Sequence, residues 1–445
     1  MTAKEAKALF GIHIVMGSLK FPQARMYWAA ATRVSLIADA MPRDRFFRLR
    51  NALHVCNNDS DQDDNNRCWK VQPLLDRVRK ACLKISRSHA ACVDEQMVPF
   101  TGRTQLHQYV RGKPNPTGLK NFVLADRLGR VLDFEIYQGA TTPIPSEHKD
   151  LGISGGIVMR LAETMPPWED CVLCFDRFFT SVPLIERLLK QGMLGHGTVM
   201  TKRIRTTLKS DKELLADGRG SSHKKVSADG KMVVVKWMDT RSVTLLSPCC
   251  GTEPVDTTKR YDKKQKKYVE VERPACVRFY NNHKGGVDLN DFLISLYRIR
   301  MKTEKWSVKV IFHFTYLALV NSWLNYKEDT KEAGYTKSQV LNLLDFRMQV
   351  AEALIRGSEE RKRRGRPSAD ASGHSEHHHR TAVQIPGPDV RFEQEGHWPD
   401  PQAMTNSPRC KLSGCKAKSQ VQCSKCKVFL YLKAGKNCFR DFHHK

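Results

Sequence analysis

The sequence lacks any long apolar run. The longest such stretch near its N-terminus, residues 10–17, is interrupted by His13, and a helix needs about 20 apolar residues to span a bilayer. No basic segment leads into that stretch, as it would in a secretory signal peptide. We therefore expect an intracellular protein without membrane spans, whose thiols stay reduced.

Acidic residues are few compared with basic ones. Lys and Arg number 74 against 47 Asp and Glu, which gives a formal net charge of +27. An excess of this size repels itself in a compact fold and calls for an anionic partner. Nucleic acid is the first expected partner and an anionic membrane surface the second. The absence of a spanning segment favours nucleic acid.

The length of 445 residues predicts two or three domains. Hydrophobic periodicity predicts mostly helix near both ends of the first 356 residues and alternating strands and helices between them. From residue 91 the predicted order is strand, strand, strand, helix, strand, helix, strand. That order is typical of a ribonuclease H-like α/β core, although other α/β folds share it. The predicted elements are strands 91–94, 121–125 and 131–138, helix 156–163, strand 171–175, helix 182–191 and strand 197–200.

Changes in composition divide the chain into six predicted segments. Residues 203–275 are polar and basic with short strand-like runs, and the stretch after residue 356 is rich in Pro, Gly, His and Ser. The segments are a helical region 1–90, the first part of the core 91–202, an inserted β-rich segment 203–275, a core completion with helices 276–356, a basic linker 357–408 and a cysteine-rich segment 409–445.

Four aspartates stand at the ends of predicted elements. Asp94 and Asp176 each follow a short apolar run, whereas Asp288 and Asp291 begin a helix after two glycines. Carboxylates at the end of a buried strand are costly unless something compensates them. Mg²⁺ prefers carboxylate oxygens, and two such ions about 3.5–4 Å apart catalyse phosphoryl transfer. Ordinary turn acids and N-terminal helix acids are the alternative, which position alone favours.

The sequence segments around these acids resemble motifs of piggyBac transposases. They occur in the family's order, and the resemblance covers most of residues 1–355 and returns at the C-terminus. The matching segments are CVDEQMVPFTGR at 92–103, YVRGKP at 109–114, GLK at 118–120, CFDRFFTS at 174–181 and GGVDLND at 285–291.

The resemblance implies a ribonuclease H-like α/β core with a flanking helical domain, an inserted β-rich segment and a C-terminal zinc-binding segment. It implies that Asp94, Asp176 and Asp288 bind Mg²⁺ or Mn²⁺, with Asp291 as an accessory acid. Residues 1–90 and 292–356 would then serve dimerisation and DNA binding. The implied activity is that of a homodimeric DNA transposase, which cuts transposon ends through hairpin intermediates and inserts at TTAA.

Three departures from the family's pattern favour a second function, that of a domesticated DNA- and chromatin-binding protein that does not cut. Arg177 stands where the family usually has Asn, and it could oppose metal binding, contact a phosphate or face solvent. Tyr431 replaces a usual Cys, and the chain begins without the family's N-terminal extension. The intact acids favour the transposase. A ribonuclease of the same core is a weaker third alternative.

Several basic residues are candidate DNA contacts, although each alone is more often a solvated charge. They are Lys113, Lys120, Arg177, Lys263, Lys264, Arg364 and Arg366. The word RGRP at 364–367 resembles an AT-hook, which enters the minor groove of A·T-rich DNA. The surrounding basic run is also typical of a nuclear localisation signal, which we rank first. We therefore expect a nuclear protein that binds double-stranded DNA.

Five of the 14 cysteines lie in the last 36 residues. The pair Cys423 and Cys426 has the spacing of a zinc site, and a segment this short needs a metal to fold. We predict one Zn²⁺ site from Cys423, Cys426, Cys438 and His443, with Cys410 and Cys415 beginning a second. The adjacent residues Cys249 and Cys250 have no partner pair nearby in the sequence, and we predict that they bind no metal.

Overall fold

The computed structural model describes residues 1–57, 63, 65–166, 171–263, 265–299, 301–357, 385–393 and 395–444. The chain divides into two compact units, residues 1–362 and 363–445. Three predicted DNA contacts, Lys264, Arg364 and Arg366, lie outside the described residues. Within the described ranges, every helix is too short or too polar to cross a membrane.

The first unit begins with helices, as the periodicity predicts. Their bounds are α1 (Ala3–Leu19), α2 (Ser35–Ala38), α3 (Arg43–Asn51) and α4 (Gln72–Cys82). Helix α1 starts at a capping box, in which the Thr2 hydroxyl accepts from the Glu5 amide and the Glu5 carboxylate accepts from the Thr2 amide. Buried apolar residues of these helices belong to the larger hydrophobic core of the unit.

An α/β layer follows the first helices. Its elements are β1 (Ala90–Pro99), β2 (His107–Tyr109), β3 (Thr117–Asp126), β4 (Val131–Ile136), α5 (Gly152–Ala162), β5 (Cys171–Phe175), α6 (Val182–Lys190) and β6 (Met193–Thr198). Strand β3 runs antiparallel to β1, β2 and β4, whereas β5 is parallel to both β1 and β6. The predicted order of strands and helices is therefore present, with the short β2 added and β6 beginning earlier than predicted.

The sheet separates two hydrophobic cores, because successive side chains of a strand point to opposite faces. Ala91 and Val93 of β1 pack in one core with α5 and α6. Cys92 and Val98 of the same strand pack in the other core, which includes the helices that end this unit. Asp94 is two residues beyond Cys92, so it lies on this second face.

The inserted segment continues the same sheet. Its elements are α7 (Asp211–Ala216), β7 (Ser222–Val226), β8 (Val233–Met238), β9 (Ser242–Ser247), β10 (Asp256–Asp262) and β11 (Lys267–Arg273). Among the described residues, β9 pairs with β6, and β8 and β7 follow, which gives a nine-stranded sheet. Strands β10 and β11 form a separate hairpin. The segment is thus rich in strands, while its limits at residues 203 and 275 stay predictions.

Four helices complete the first unit: α8 (Ala275–His283), α9 (Gly286–Leu296), α10 (Trp306–Glu332) and α11 (Leu343–Arg356). Helices α9 and α10 pack on the Cys92 face of β1, and α11 packs against α1. Helix α10 is buried along much of its length. This arrangement brings the start of α9, with Asp288, to the face of the sheet that carries Asp94.

The second unit is small, and its elements are short. They are α12 (Pro388–Arg391), β12 (Pro399–Pro401), β13 (Val421–Cys423), β14 (Leu432–Lys433), β15 (Lys436–Asn437) and α13 (Cys438–His443). Its apolar cluster consists of four cysteines together with Val428, Leu430, Phe439 and Phe442. A core this small offers little hydrophobic stabilisation by itself.

Candidate active site

Asp94 and Asp176 come from neighbouring parallel strands. The register of β1 and β5 pairs Val93 with Phe175, so the next residue of each chain segment is one of these acids. The turn after β5 is fixed by Asp176 itself, whose Oδ1 accepts a hydrogen bond of 2.8 Å from the Phe178 amide. The two predicted acids therefore stand next to each other at the carboxyl end of β5, where its pairing with β1 ends and which we call the edge of the core sheet.

Asp288 reaches the same edge from the first turn of α9. The Lys113 Nζ lies 3.6 Å from Asp94 Oδ2 and 3.7 Å from Asp288 Oδ1, so one ammonium contacts both carboxylates. The close approach of α9 depends on Gly286, because a Cβ there would clash with the Asp126 carbonyl. Asp94 is 18% exposed and Asp288 is 70% exposed, so the cluster opens toward solvent on the α9 side.

Asp291 lies one helical turn after Asp288 and is more deeply placed. Its Oδ1 is buried without a hydrogen-bond partner. Burial raises the pKa of Asp291 to about 6, against the opposing effects of Arg298 and Lys113. Glu95, which the sequence analysis missed, also has a buried carboxylate oxygen without a hydrogen-bond partner. Unpartnered buried oxygens beside other carboxylates are suited to a cation.

The acids of this cluster are difficult to ionise together. Burial raises the pKa of Asp94 well above its usual range, and the nearby charge of Glu95 adds to that effect while Lys113 opposes it. Burial also raises the pKa of Asp176, with a further contribution from Glu95. Each shift reflects negative charge that is poorly solvated and incompletely neutralised. The donor set, all carboxylate oxygen, fits a hard divalent cation such as Mg²⁺ or Mn²⁺.

Other buried acids of the same sheet are compensated within the protein. On β4, the Asp133 carboxylate contacts Arg79 at 3.2 Å and Arg160 at 2.5 Å. The Glu135 carboxylate contacts the same two guanidinium groups at 2.7 and 3.2 Å. Two arginines thus form ion pairs with both acids of β4. Among the described residues, the cation in ion-pair contact with Asp94 and Asp288 is a single lysine, which distinguishes this cluster.

A buried hydrogen-bond network positions α9 against the sheet. The Gln96 Nε2 donates to Asn290 Oδ1 at 3.1 Å, and the Gln96 Oε1 lies 2.8 Å from His313 Nε2. The Asn290 Nδ2 donates to the Gly129 carbonyl in the β3–β4 turn at 2.9 Å. Sequence reasoning missed these positioning residues. Strand alternation was the available signal, because Gln96 follows Asp94 on the same face.

The predicted DNA-binding residues differ in their surroundings. The Lys120 ammonium lies over the rings of Phe122, Tyr137 and Phe178, 4.7–5.2 Å from their centroids, and is half-buried. Arg177 is exposed beside Asp176, and Lys263 is exposed in the turn between β10 and β11. Lys113 contacts the acids. Lys113 and Lys120 are thus partly buried among acids and aromatic rings, whereas Arg177 and Lys263 face solvent.

Cysteine and histidine side chains form two groups in the second unit. In each group the candidate ligand atoms lie within 4.8 Å of one another. The first group is His397, Cys423, Cys426 and His443, and the second is Cys410, Cys415 and Cys438. The first group offers two nitrogen and two sulfur ligands and the second offers three sulfur ligands, and zinc binds both kinds.

The predicted membership of the first group is wrong at one position. Cys438 lies with the second group, its Sγ 3.6 Å from that of Cys415, and His397 takes its place, with Nδ1 3.3 Å from Cys423 Sγ. Cys438 and His443 begin and end α13, and five residues of α-helix turn side chains about 140° apart. They therefore face different groups. His397 was missed because it lies in the predicted linker.

The chain resembles known proteins over its whole length. Residues 1–323 match the family model described as Transposase IS4. The chain is 29% identical over 453 residues to human PiggyBac transposable element-derived protein 3 and 30% identical over 456 residues to human PiggyBac transposable element-derived protein 2. Each alignment covers 100% of this chain and 70% of the relative.

A solved structure shares the fold. It is the cryo-EM structure of a piggyBac transposase synaptic complex with hairpin DNA, with a TM-score of 0.67 and 20% sequence identity. The match covers 97% of this chain and 86% of that chain. The resemblance to piggyBac transposases, predicted from the sequence motifs around the aspartates, is thus confirmed by similarity that extends well beyond these motifs.

Proposed function

This chain belongs to the piggyBac transposase family, and we propose that it is a DNA transposase that cuts and joins strands with two divalent metal ions. Two observations support the proposal: the register of β1 and β5 sets Asp94 next to Asp176, and Lys113 contacts both Asp94 and Asp288. The order β4–β3–β1–β5–β6, antiparallel for the first three strands and parallel for the last two, supports a ribonuclease H-like core.

We infer that Asp94, Asp176 and Asp288 hold Mg²⁺ or Mn²⁺ and that Asp291 acts as an accessory acid. The bound ions would supply activation of the attacking oxygen and stabilisation of the leaving oxygen at a phosphate. Lys113 neutralises part of the cluster's charge, and Gln96 holds α9 so that Asp288 stays at the sheet edge. The buried, unpartnered oxygen of Asp291 supports a cation nearby.

Double-stranded DNA is the proposed substrate, and the net charge of +27 supports it. The relative of known structure is described as a synaptic complex with hairpin DNA. We propose that exposed Arg177 and Lys263 contact phosphates, and that Lys264, Arg364 and Arg366 add further contacts. Insertion at TTAA, a homodimeric state and a nuclear location complete the proposal as expectations from the family resemblance.

We propose that zinc folds the second unit. His397, Cys423, Cys426 and His443 supply four ligand atoms for one ion, and Cys410, Cys415 and Cys438 supply three for another. The apolar cluster there is small and itself contains four of these cysteines. Metal binding would then provide much of the folding free energy of this unit.

A domesticated DNA-binding protein that does not cut is the second candidate. The exposed Arg177 beside Asp176 favours it, because a fixed cation next to a metal ligand opposes metal binding. This candidate keeps the basic surface and the cysteine-rich unit and loses the metal-dependent chemistry. The two functions therefore differ in cleavage and agree in salt-sensitive binding of DNA.

A cleavage assay separates the two candidates. The wild-type chain, Asp176→Asn and Asp229→Asn are incubated with Mg²⁺ and duplex DNA that carries the sequences flanking the gene. Asp229 is an exposed aspartate in the turn before β8 and serves as the matched control. We expect nicking by the wild type and the control and at least a hundredfold slower nicking by Asp176→Asn. Equal nicking by all three proteins contradicts the enzyme proposal, and salt-sensitive binding without nicking supports the second candidate.

A further inference from the structure

A histidine and two adjacent cysteines meet where the inserted segment joins the core sheet. His196 lies on β6 and is fully buried, while Cys249 and Cys250 follow β9, the strand that pairs with β6. The ring nitrogen of the histidine and the two sulfur atoms are mutually within 4.8 Å. We call these three residues the junction cluster. It shares no residue with the aspartate cluster or with the C-terminal cysteine groups.

The separations within the junction cluster match those around a tetrahedral metal ion. The Cys249 and Cys250 sulfur atoms are 3.8 Å apart, and the Cys250 Sγ is 3.9 Å from His196 Nδ1. Two sulfur ligands at about 2.3 Å from a tetrahedral Zn²⁺ are roughly 3.8 Å from each other. A disulfide would instead bring the sulfurs to about 2.05 Å. The geometry is therefore that of two ligands of one ion.

The neighbours of the cluster orient its ligand atoms. The His196 Nε2 lies 3.0 Å from the Cys276 carbonyl oxygen, so it carries the proton and donates, and the Nδ1 keeps a lone pair toward the sulfurs. Such a contact between the second ring nitrogen and a carbonyl is usual for metal-bound histidine. The Ser247 hydroxyl accepts from the backbone amides of Cys249 and Cys250 at 3.2 and 3.1 Å, which fixes the turn that presents both thiols.

Contrary to the prediction from sequence that Cys249 and Cys250 bind no metal, we propose that the junction cluster binds one Zn²⁺ through His196 Nδ1 and the sulfurs of both cysteines, with water as the fourth ligand. Both cysteines are half-exposed, so solvent can reach the open position. The ion would join β6, which leads into the inserted segment, to the turn after β9, and through the Cys276 carbonyl to α8. It would thereby fasten the two ends of the insertion to each other.

The position of α8 gives the proposed ion a connection to the aspartates. Tyr280 of α8 is buried, and its ring centroid lies 5.9 Å from that of His196. Burial raises the pKa of Tyr280, and the charges of Asp176 and Asp94 add to this shift. Helix α9 with Asp288 follows α8 directly. The inference does not rest on the proposed DNA cleavage, since a structural zinc serves a binding protein equally well.

Zinc content tests the proposal with the full-length chain. The protein is stripped with a chelator under reducing conditions, reloaded with Zn²⁺, desalted and analysed for bound metal. The double variant Cys249→Ser with Cys250→Ser is compared with Cys56→Ser, which removes a half-exposed thiol outside any of the described clusters. We expect the double variant to lose about one equivalent of zinc, as one tetrahedral site holds one ion, and the control to lose none. Equal zinc contents overturn the proposal.

A measurement on the wild-type chain keeps the proposal testable if the double variant does not fold. The zinc-loaded and stripped proteins are alkylated under native conditions, and each modified cysteine is located by peptide mass spectrometry. We expect Cys249 and Cys250 to be protected only in the loaded protein, while Cys56 reacts alike in both. Equal modification of the pair in both states overturns the proposal, as does an intact mass two hydrogens short, which indicates a disulfide.

Discussion

Lys113 lies among the aspartates that are proposed to bind a divalent metal ion, and removal of its positive charge should strengthen metal binding. Lys113→Met keeps the length of the side chain and removes its charge. In the wild type, a divalent ion must displace or tolerate an ammonium that lies 3.6 Å from Asp94 and 3.7 Å from Asp288. The variant presents the same carboxylates without that competitor, and it leaves them uncompensated when no ion is bound.

The size of the effect follows from these distances. Unit charges 3.6 Å apart attract by about 4–5 kcal/mol at an effective dielectric constant near 20. Lys113 is 19% exposed, and its own desolvation offsets much of this attraction. A net loss of roughly 1–3 kcal/mol in the free energy of unfolding of the metal-free variant is expected. The affinity for the ion should rise about tenfold or more, since 1.4 kcal/mol corresponds to one factor of ten.

Calorimetric titration with Mn²⁺ measures the affinity directly. Mn²⁺ prefers oxygen ligands, so the cysteine groups contribute little to the signal. Lys263→Met, an exposed lysine of the β10–β11 hairpin, is the matched control for loss of one positive charge. Asp176→Asn provides the background from sites elsewhere. Thermal unfolding with and without Mn²⁺ then shows whether the ion restores the stability that the variant lost, as linkage requires.

Two results would refute this reasoning. If Lys113→Met bound Mn²⁺ no more tightly than the wild type and Lys263→Met, the ammonium would not compete with the ion. If the metal-free variant were as stable as the wild type, the carboxylates would not depend on Lys113 for compensation. Either result would show that Lys113 does not take the place of a metal ion among these carboxylates.

Three further predictions concern other parts of the chain. Burial lowers the pKa of His13 to about 3 from its usual 6.5. The stability contributed by neutral His13 is therefore full above pH 6.5 and is lost as the pH falls toward 3, by up to about 1.4 kcal/mol per pH unit. Urea unfolding of the wild type and His13→Leu at pH 7.5 and 5 measures this loss of stability. Chelation of zinc should make residues 385–444 sensitive to protease while residues 65–166, which lie outside both proposed zinc-binding regions, stay resistant, as limited proteolysis with mass mapping will show. Lys263→Ala and Arg177→Ala should each reduce the salt dependence of DNA binding by about one phosphate contact in equilibrium titrations over a range of salt concentrations.

Strand β5 is the part of the core sheet that the sequence predicts most closely, because it carries an uninterrupted apolar run. The stretch 171–175 was predicted as a strand with the same bounds that β5 has, since all five residues are buried on both faces of the sheet. The predicted strand at 197–200 begins four residues after β6 does, since β6 begins at Met193. Gly195, His196 and Gly197 break its apolar pattern, and their reason is tertiary: a Cβ at either glycine would collide with side chains from β5 or α6.

Sequence motifs, and not geometry, predict the residues of the candidate site. The motifs predict Asp94, Asp176 and Asp288, but where these residues lie relative to one another depends on the parallel register of β1 with β5 and on the packing of α9. The roles of Glu95 and Lys113 within the cluster depend on contacts between residues that are far apart in sequence. Cysteine spacing likewise identified a metal-binding segment and could not assign its groups, because the rotation of α13 decides where Cys438 points.

The charge distribution weighs on the choice between the two proposed functions. The chain carries a net charge of +27, yet several carboxylates gather at one edge of its sheet, around an Asp288 that is 70% exposed. A protein that only binds DNA gains nothing from such a cluster, because carboxylates near the phosphate backbone repel it. Divalent ions reverse this effect by turning the acidic edge into a positive surface that attracts a phosphate. The acids therefore make physical sense beside DNA as the holders of metal ions, and the same edge without ions would weaken the binding that the rest of the surface favours.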